Sequence, residues 1–307
     1  MFNEEASLTA FHKELTKAIQ PLEKTYRFEL LYINDGSTDA SLDILKKLQK
    51  KDRRITIIEF ARNYGHQLAL TAGIDYAKGD ALIIMDTDLQ DPPNVSVDLI
   101  TTWERGYDVV YAQRNSRNDS WFKKSSAALY YRLLERIAEV HIPRNTGDFR
   151  LISKAVADEI RKYREHHRFM RGLVSYVGFN QTAVPFDRDP RVSGASHYPL
   201  KAMVRLAKDG IIGFSTAPLK AISRLGYLIA VLSILAIIYA ATVRLFFPQY
   251  AVEGWAFTVI SIFFVGGVQL IMLGVLGGYI ARIYTEVQGR PLYGVRAVHV
   301  SHKSKQR

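Results

Sequence analysis

The stretch Ala81-Leu-Ile-Ile-Met-Asp-Thr-Asp-Leu-Gln-Asp-Pro-Pro93 decides how the rest of the chain is read. Its unbroken apolar run fits a strand buried on both faces, which occurs where helices cover both sides of a parallel sheet. The run stops at Asp86 and Asp88, with Gln90 two residues further on, so alternate side chains converge on one edge at the strand's carboxyl end. Ligands of open α/β sheets bind at such ends. Two carboxylates and an amide there suit a hard divalent ion, Mg²⁺ or Mn²⁺, which completes an octahedral shell from phosphates and water. The competing reading is an Asp-rich cap for a helix opening at Pro92-Pro93.

Working outward, residues 5–20 carry a helical apolar stripe (Leu8, Phe11, Leu15, Ile19), and residues 28–33 read as a strand closed by a second acidic turn, Asn34-Asp-Gly-Ser-Thr-Asp39. Helices over 41–50, 66–77 and 94–104 alternate with strands over 55–59 and 108–112. This alternation predicts an α/β domain with a mostly parallel sheet. Both acidic clusters then lie at strand ends, where crowded carboxylates are costly unless a cation or hydrogen-bond donors compensate. Asp35 is placed to accept hydrogen bonds from a base or ribose, and Asp39 to cap the next helix.

The 307 residues are 48% hydrophobic and 23% charged with net charge +11, which excludes a disordered chain. There is no cysteine, so disulfides, thiolate zinc sites and cysteine nucleophiles are excluded. Residues 225–243 and 255–281 contain no charged side chain, and each run supplies the ~20 residues that cross a bilayer. The expectation is a transmembrane hairpin within residues 224–284, with helices at about 225–247 and 255–281. Lys201, Arg205, Lys208, Lys220 and Arg224 precede it, Arg282, Arg290, Arg296, Lys303, Lys305 and Arg307 follow it, and the short connecting loop has no basic residue. Both ends are therefore expected in the cytoplasm of a multi-pass protein of the inner (plasma) membrane.

Residues 199–223 read as an amphipathic segment lying on the membrane lipids, residues 285–307 as a basic cytoplasmic tail, and residues 1–198 as a cytoplasmic catalytic domain. Gly274 and Gly278 permit close helix packing, either within the hairpin or in a homo-oligomer. The positive charge is assigned to the membrane surface, and no nucleic-acid-binding motif or P-loop is present.

Taken together, Phe2-Asn-Glu-Glu5, Asn34-Asp-Gly-Ser-Thr-Asp39, Arg62-Asn-Tyr-Gly65, the Asp86–Pro93 segment and Gly147-Asp-Phe-Arg-Leu151 resemble glycosyltransferase family 2. The resemblance is to the branch that glycosylates polyprenyl phosphates, which includes bactoprenol glucosyltransferases and dolichyl-phosphate mannose synthases. It implies a nucleotide-sugar-binding fold of the glycosyltransferase A type. Asn3, Glu5 and Asp35 would then serve the donor, Asp35 near the base, with Asp86, Asp88 and Gln90 around metal and diphosphate.

Arg191-Val-Ser-Gly-Ala-Ser196 matches the loop that closes over donor phosphates, which adds Arg188, Arg191 and Ser193; His197 stands where the family often has Lys. Arg114, Arg117, Lys123 and Lys124 match an acceptor loop that binds lipid phosphate. Asp88, Asp148 and Arg114 are the implied catalytic residues, Arg150 is a partner for Asp148 or a phosphate, and His66 and His166-His167 read as structural or exposed. The family usually has a strand before Asn3, so the sheet is expected to lack its first strand.

The implied reaction is inverting transfer of a sugar, UDP-glucose favoured as donor, to undecaprenyl or dolichyl phosphate for cell-surface glycan modification such as that of lipopolysaccharide O-antigen. GDP-mannose or another donor, or a non-catalytic nucleotide-sugar-binding membrane partner, are the alternatives. A processive polysaccharide synthase is disfavoured by the absence of Gln-x-x-Arg-Trp.

Overall fold

The computed structural model describes residues 1–115, 143, 146–187, 217–246 and 254–301. The chain forms two compact units, Met1–Gly213 with Arg290–Arg307, and Phe214–Gly289. The first unit opens with α1 (Leu8–Ile19) and a 3₁₀ turn (Gln20–Lys24), followed by β1 (Leu30–Asn34), α2 (Ser41–Lys51), β2 (Ile55–Phe60) and α3 (His66–Tyr76). It continues through β3 (Ala81–Ile84), α4 (Val95–Trp103), β4 (Val109–Arg114), β5 (Thr146–Ser153), α5 (Lys154–Lys162), α6 (Met170–Tyr176) and β6 (Gln181–Phe186). The second unit contains α7 (Ala217–Phe246) and α8 (Trp255–Val287), after which β7 (Val295–Val300) returns to the first.

The helix and strand alternation is as the residue pattern predicts, but the sheet is mixed. Strand order is β1-β2-β7 in one sheet and β3-β5-β4-β6 in the other. Of these pairings β1 with β2 and β4 with β6 are parallel, whereas β5 runs antiparallel between β3 and β4, and β7 antiparallel to β2. The expectation of a mostly parallel sheet is thus corrected. Local periodicity sees β3, α4 and β4 as a crossover unit; it does not see a later strand inserted between them. Residues 285–307, read as a basic tail, likewise contain β7, whose His299 backbone carbonyl accepts a hydrogen bond from the Gln49 amide.

Side-chain alternation directs the two faces of each sheet into different cores. Tyr32, Ile55 and Ile57 pack with Leu8, Phe11 and Leu45, while Ile33, Ile58 and Phe60 pack with Ala69 and Ala72 of α3. In the second sheet Val110, Phe149 and Leu151 meet Leu99 and Ile100 of α4, and Val109 and Ile152 meet Ile74, Val156 and Ile160. Helix α3 contributes to a core of each sheet, through Ala69 and Ala72 in one and Ile74 in the other, and so ties them together. At the amino terminus the Met1 backbone nitrogen donates to the Ile33 carbonyl (2.9 Å) and the Asp35 N–H donates to the Met1 carbonyl (3.0 Å), a parallel pairing step beside Asn34.

In the second unit, Phe264–Val287 of α8 is long and apolar enough to cross a membrane, and its apolar window is 0% buried, unlike that of a soluble core helix. The apolar stretch of α7, Ala221–Ala236, is shorter, so among the described residues one helix rather than two meets the length and composition of a span. A Cβ added to Gly226 of α7 would lie 3.4 Å from Met272 of α8, whereas one added to Gly274 or Gly278 would meet nothing within 4 Å.

Leu151 is fully buried in the middle of the central strand β5. Leu151→Ala is expected to destabilise the protein by about 2–5 kcal/mol, the usual result for a buried Leu. Denaturant or thermal unfolding in detergent checks this; a loss under about 1 kcal/mol would mean that β5 is not a core strand.

Candidate functional site

At the carboxyl ends of β1 and β2, backbone turns are tied together by carboxylates. Asp35 is 3% exposed; its Oδ1 accepts the Tyr64 N–H (2.7 Å) and its Oδ2 the Gly65 N–H (2.9 Å). Burial pushes its pKa up, with those two backbone donors acting in the opposite direction. Asp35 is therefore a clamp on the Arg62-Asn-Tyr-Gly65 turn, each of its carboxylate oxygens accepting one backbone N–H.

Gly36 follows with φ +66°, and a Cβ on it would come within 2.4 Å of the Arg62 carbonyl carbon. Only glycine suits both the positive φ and the approach. Asn3 and Glu5 also act on the protein itself: the Asn3 Oδ1 accepts the Thr38 N–H (2.9 Å) and the Glu5 carboxylate the Ala40 N–H (2.9 Å). Asp39, expected to cap α2, lies one residue before the cap residue Ala40 and accepts the Ser41 N–H at the start of the helix (3.0 Å).

The second cluster forms where β3 ends. Asp88 Oδ1 accepts the Gln90 N–H (3.0 Å), and Leu89 between them has φ +60°. Such a conformation costs a branched residue ~1–3 kcal/mol, and it is retained because Leu89 packs against the core around Leu30 and Tyr32. Helix α4 begins at Val95 after Asn94, so Asp86, Asp88 and Asp91 are not its cap.

Strand register explains why Asp148 joins this cluster. Ile84 pairs with Arg150 in antiparallel β3 and β5, and two residues beyond that pair lie Asp86 on one strand and Asp148 on the other. His66 bridges them, with Nε2 3.0 Å from Asp148 Oδ2 and Nδ1 3.9 Å from Asp86 Oδ1. The dominant partner of Asp148 is Arg171 of α6, whose Nε and Nη2 donate to its two oxygens at 2.9 and 3.1 Å. Arg150, expected to pair with Asp148 or with a phosphate, forms a longer ion pair with it at 4.0 Å and donates to the Gly147 carbonyl (2.8 Å).

Burial alone would raise the Asp148 pKa; Arg171 and His66 overcome it and hold the carboxyl well below the carboxylate range. Burial also opposes a charged His66, yet Asp148 and Asp86 raise its pKa above that of an ordinary imidazole. Burial lowers Arg150 to about 10. Sequence reasoning reads His66 as structural or exposed and does not single out Arg171. The available signal was the position of His66, first residue of α3 directly after the Arg62–Gly65 turn.

Arg114 ends β4, with Nη2 3.7 Å from buried Asp91 and 3.1 Å from where a Cβ on Gly147 would sit. Gly147 thus leaves room for the guanidinium. Arg117, Lys123, Lys124, Arg188, Arg191 and Ser193 lie outside the described residues. Among the described residues no three His, Asp or Glu side chains converge to hold an ion by themselves. The oxygen donors of Asp86, Asp88 and Gln90 nevertheless fit Mg²⁺ or Mn²⁺, ions that draw most ligands from phosphates and water.

Because the folded pKa of Asp148 is depressed, its ionic contribution to stability is fully present above the unfolded value of ~3.9 and is lost as pH falls through the folded one. Asp148→Asn is expected to cost about 3–5 kcal/mol at pH 7, because it leaves Arg171 without its charged partner. Unfolding free energies compared across pH should begin to approach each other only below about pH 4 and meet once pH has passed the depressed folded value; a difference independent of pH would show that the charge of Asp148 contributes nothing.

The profile of Glycosyl transferase family 2 matches residues 1–161. A Bacillus subtilis (strain 168) protein described as uncharacterized glycosyltransferase YkcC is 43% identical over 297 residues, covering 96% of this chain and 91% of its own. The SfII prophage-derived bactoprenol glucosyl transferase of Shigella flexneri is 40% identical over 300 residues, covering 97% and 96%. The prophage bactoprenol glucosyl transferase homolog of Escherichia coli (strain K12) is 38% identical over 301 residues, covering 97% of each chain. With its mixed-sheet fold of the glycosyltransferase A type, this chain belongs to glycosyl transferase family 2 and is a glycosyltransferase.

Proposed function

We propose that the chain transfers a sugar, with UDP-glucose the favoured donor, to a membrane polyprenyl phosphate of the undecaprenyl type at the cytoplasmic face of the inner membrane. The carrying observation is that similarity to proteins named bactoprenol glucosyl transferases runs nearly the full length of both chains, apolar helices included. The product would be a polyprenyl-phosphate sugar used in cell-surface glycan modification.

The chemistry needs little from a base. A phosphate monoester is anionic at pH 7, so its oxygen attacks the anomeric carbon directly, the bond to the nucleoside diphosphate breaks, and the anomeric centre inverts. Positioning and charge neutralisation carry the rate. Asp86, Asp88 and Gln90 would hold Mg²⁺ or Mn²⁺, which when bound supplies positive charge to the donor diphosphate. Arg188, Arg191 and Ser193 would close over the donor phosphates. Arg114, with Arg117, Lys123 and Lys124, would hold the acceptor phosphate in line.

Asp148 acts as an orienting residue in this reading, since its oxygens are engaged by Arg171 and His66. Asn3, Glu5 and Asp35 hold the turns that wall the donor site. Helices α7 and α8, 30 and 33 residues long, form a membrane hairpin with both ends in the cytoplasm, supported by the distribution of basic residues on either side.

Transfer of radiolabelled sugar from a panel of UDP- and GDP-sugars to undecaprenyl phosphate in detergent, with Mg²⁺, Mn²⁺ or EDTA, tests the reaction. Product from UDP-glucose is expected with either metal and none with EDTA, and Asp88→Ala should reduce the rate about 10²-fold or more. Product from GDP-mannose alone would replace the donor, and a folded chain inert with every donor would favour a non-catalytic nucleotide-sugar-binding partner.

Topology is testable separately because the chain has no cysteine. A single Gln249→Cys placed between the two helices should react with a membrane-impermeant maleimide added outside spheroplasts. Labelling only after lysis would refute the hairpin.

A further inference from the structure

The structure assigns Arg296, on the strand that follows the membrane helices, to the donor site, where it contacts the nucleoside diphosphate. This rests on the donor-binding reading above and extends it to a residue that sequence reasoning counted only among the basic charges following the second span.

The geometry begins with a break in the β2–β7 ladder. Glu59 pairs with Ala297 and Phe60 with Val295, which makes Arg296 the extra residue of a β-bulge. Bulges re-aim side chains and are frequent beside active sites. This one lies at the carboxyl end of β2, and Arg296 lines a cleft of about 450 Å³ whose other walls include Gly36, Ser37, Thr38, Arg62 and Asn63. That volume is within the range of small-molecule sites. The walls are the two turns held by Asp35, at the strand ends where nucleotides bind in such sheets.

The guanidinium is held without being consumed. Its Nη2 donates to the Ala61 carbonyl (3.2 Å) and its Nη1 lies 3.5 Å from Glu59 Oε1. Glu59 is buried, and its other oxygen meets His299 Nε2 at 2.9 Å, so the anchor is itself fixed from β7. The side chain of Arg296 remains 64% exposed. A planar fork with further N–H donors, oriented by a buried carboxylate and facing hydroxyls and a second arginine, matches the bidentate geometry that phosphate oxygens accept. A uridine base without its phosphates offers no anion for it.

The test is equilibrium binding of UDP and of uridine to the full-length chain in detergent with Mg²⁺, comparing wild type with Arg296→Ala, Arg296→Lys and Arg296→Gln. Arg296→Ala and Arg296→Gln should weaken UDP about 10- to 100-fold, the cost of one or two charge-assisted hydrogen bonds, and leave uridine unchanged. Arg296→Lys should fall between, since it keeps the charge and loses the fork. Glutamine can still bond the Ala61 carbonyl, and melting temperatures of all variants separate a ligand contact from strand pairing. Equal UDP affinity in wild type and the alanine variant would overturn the assignment alone. A wild-type chain that binds neither UDP nor GDP would overturn the donor reading together with it.

Discussion

A carboxylate that is 7% exposed must either be neutral or be surrounded by donors, and the arrangement around Asp148 follows from the second solution. Stripping water from the ion would cost several kcal/mol, so Arg171 and His66 have to be brought within hydrogen-bond distance from two different helices. That requirement couples the start of β5 to α3 and α6, and through His66 to Asp86 at the end of β3. The half-buried Asp86 thereby receives a fixed neighbour although its own strand has ended.

The same device operates in the first sheet with backbone donors in place of side chains. Asp35 accepts two successive N–H groups of the turn after β2, and Gly36 lets that turn approach closer than any side chain would permit. Asn3, Glu5 and Asp35, which look like ligand contacts in the sequence, all bond backbone N–H groups of these turns, so on the proposed reading they also build the walls of the site. A wall residue of this kind influences donor binding through the position of Ser37, Thr38, Arg62 and Asn63, so its substitution should disturb geometry before it removes any contact.

What the sequence made legible follows the range of the physics involved. Alternating apolar periodicity is local, and it placed every helix and strand from Leu8 to Arg114 within a few residues. The strand-end acidic clusters were legible for the same reason. The insertion of β5 between β3 and β4, and of β7 beside β2, depends on pairings across about 30 to 240 residues, which no window reports. The contacts of His66 and Arg171 with Asp148 were not legible because they join residues separated by 82 and 23 positions. The second apolar run was legible as a span from composition, whereas Ala221–Ala236 is too short by that measure alone.

The chain leaves the first unit before Phe214 and re-enters it at Arg290, so the apolar helices are joined to the catalytic unit at both ends. A terminal anchor would need only one connection. On the proposed reading the acceptor's tail stays in the bilayer, and tethering the enzyme there raises the effective concentration of the phosphate it must capture. The second connection has a further consequence, because β7 carries the Glu59 partner His299 and the bulged Arg296. On the proposed reading, a donor site completed by the segment that follows the apolar helices contains Arg296 only in chains whose apolar segment has already been made, which would link donor capture to membrane attachment through covalent order alone.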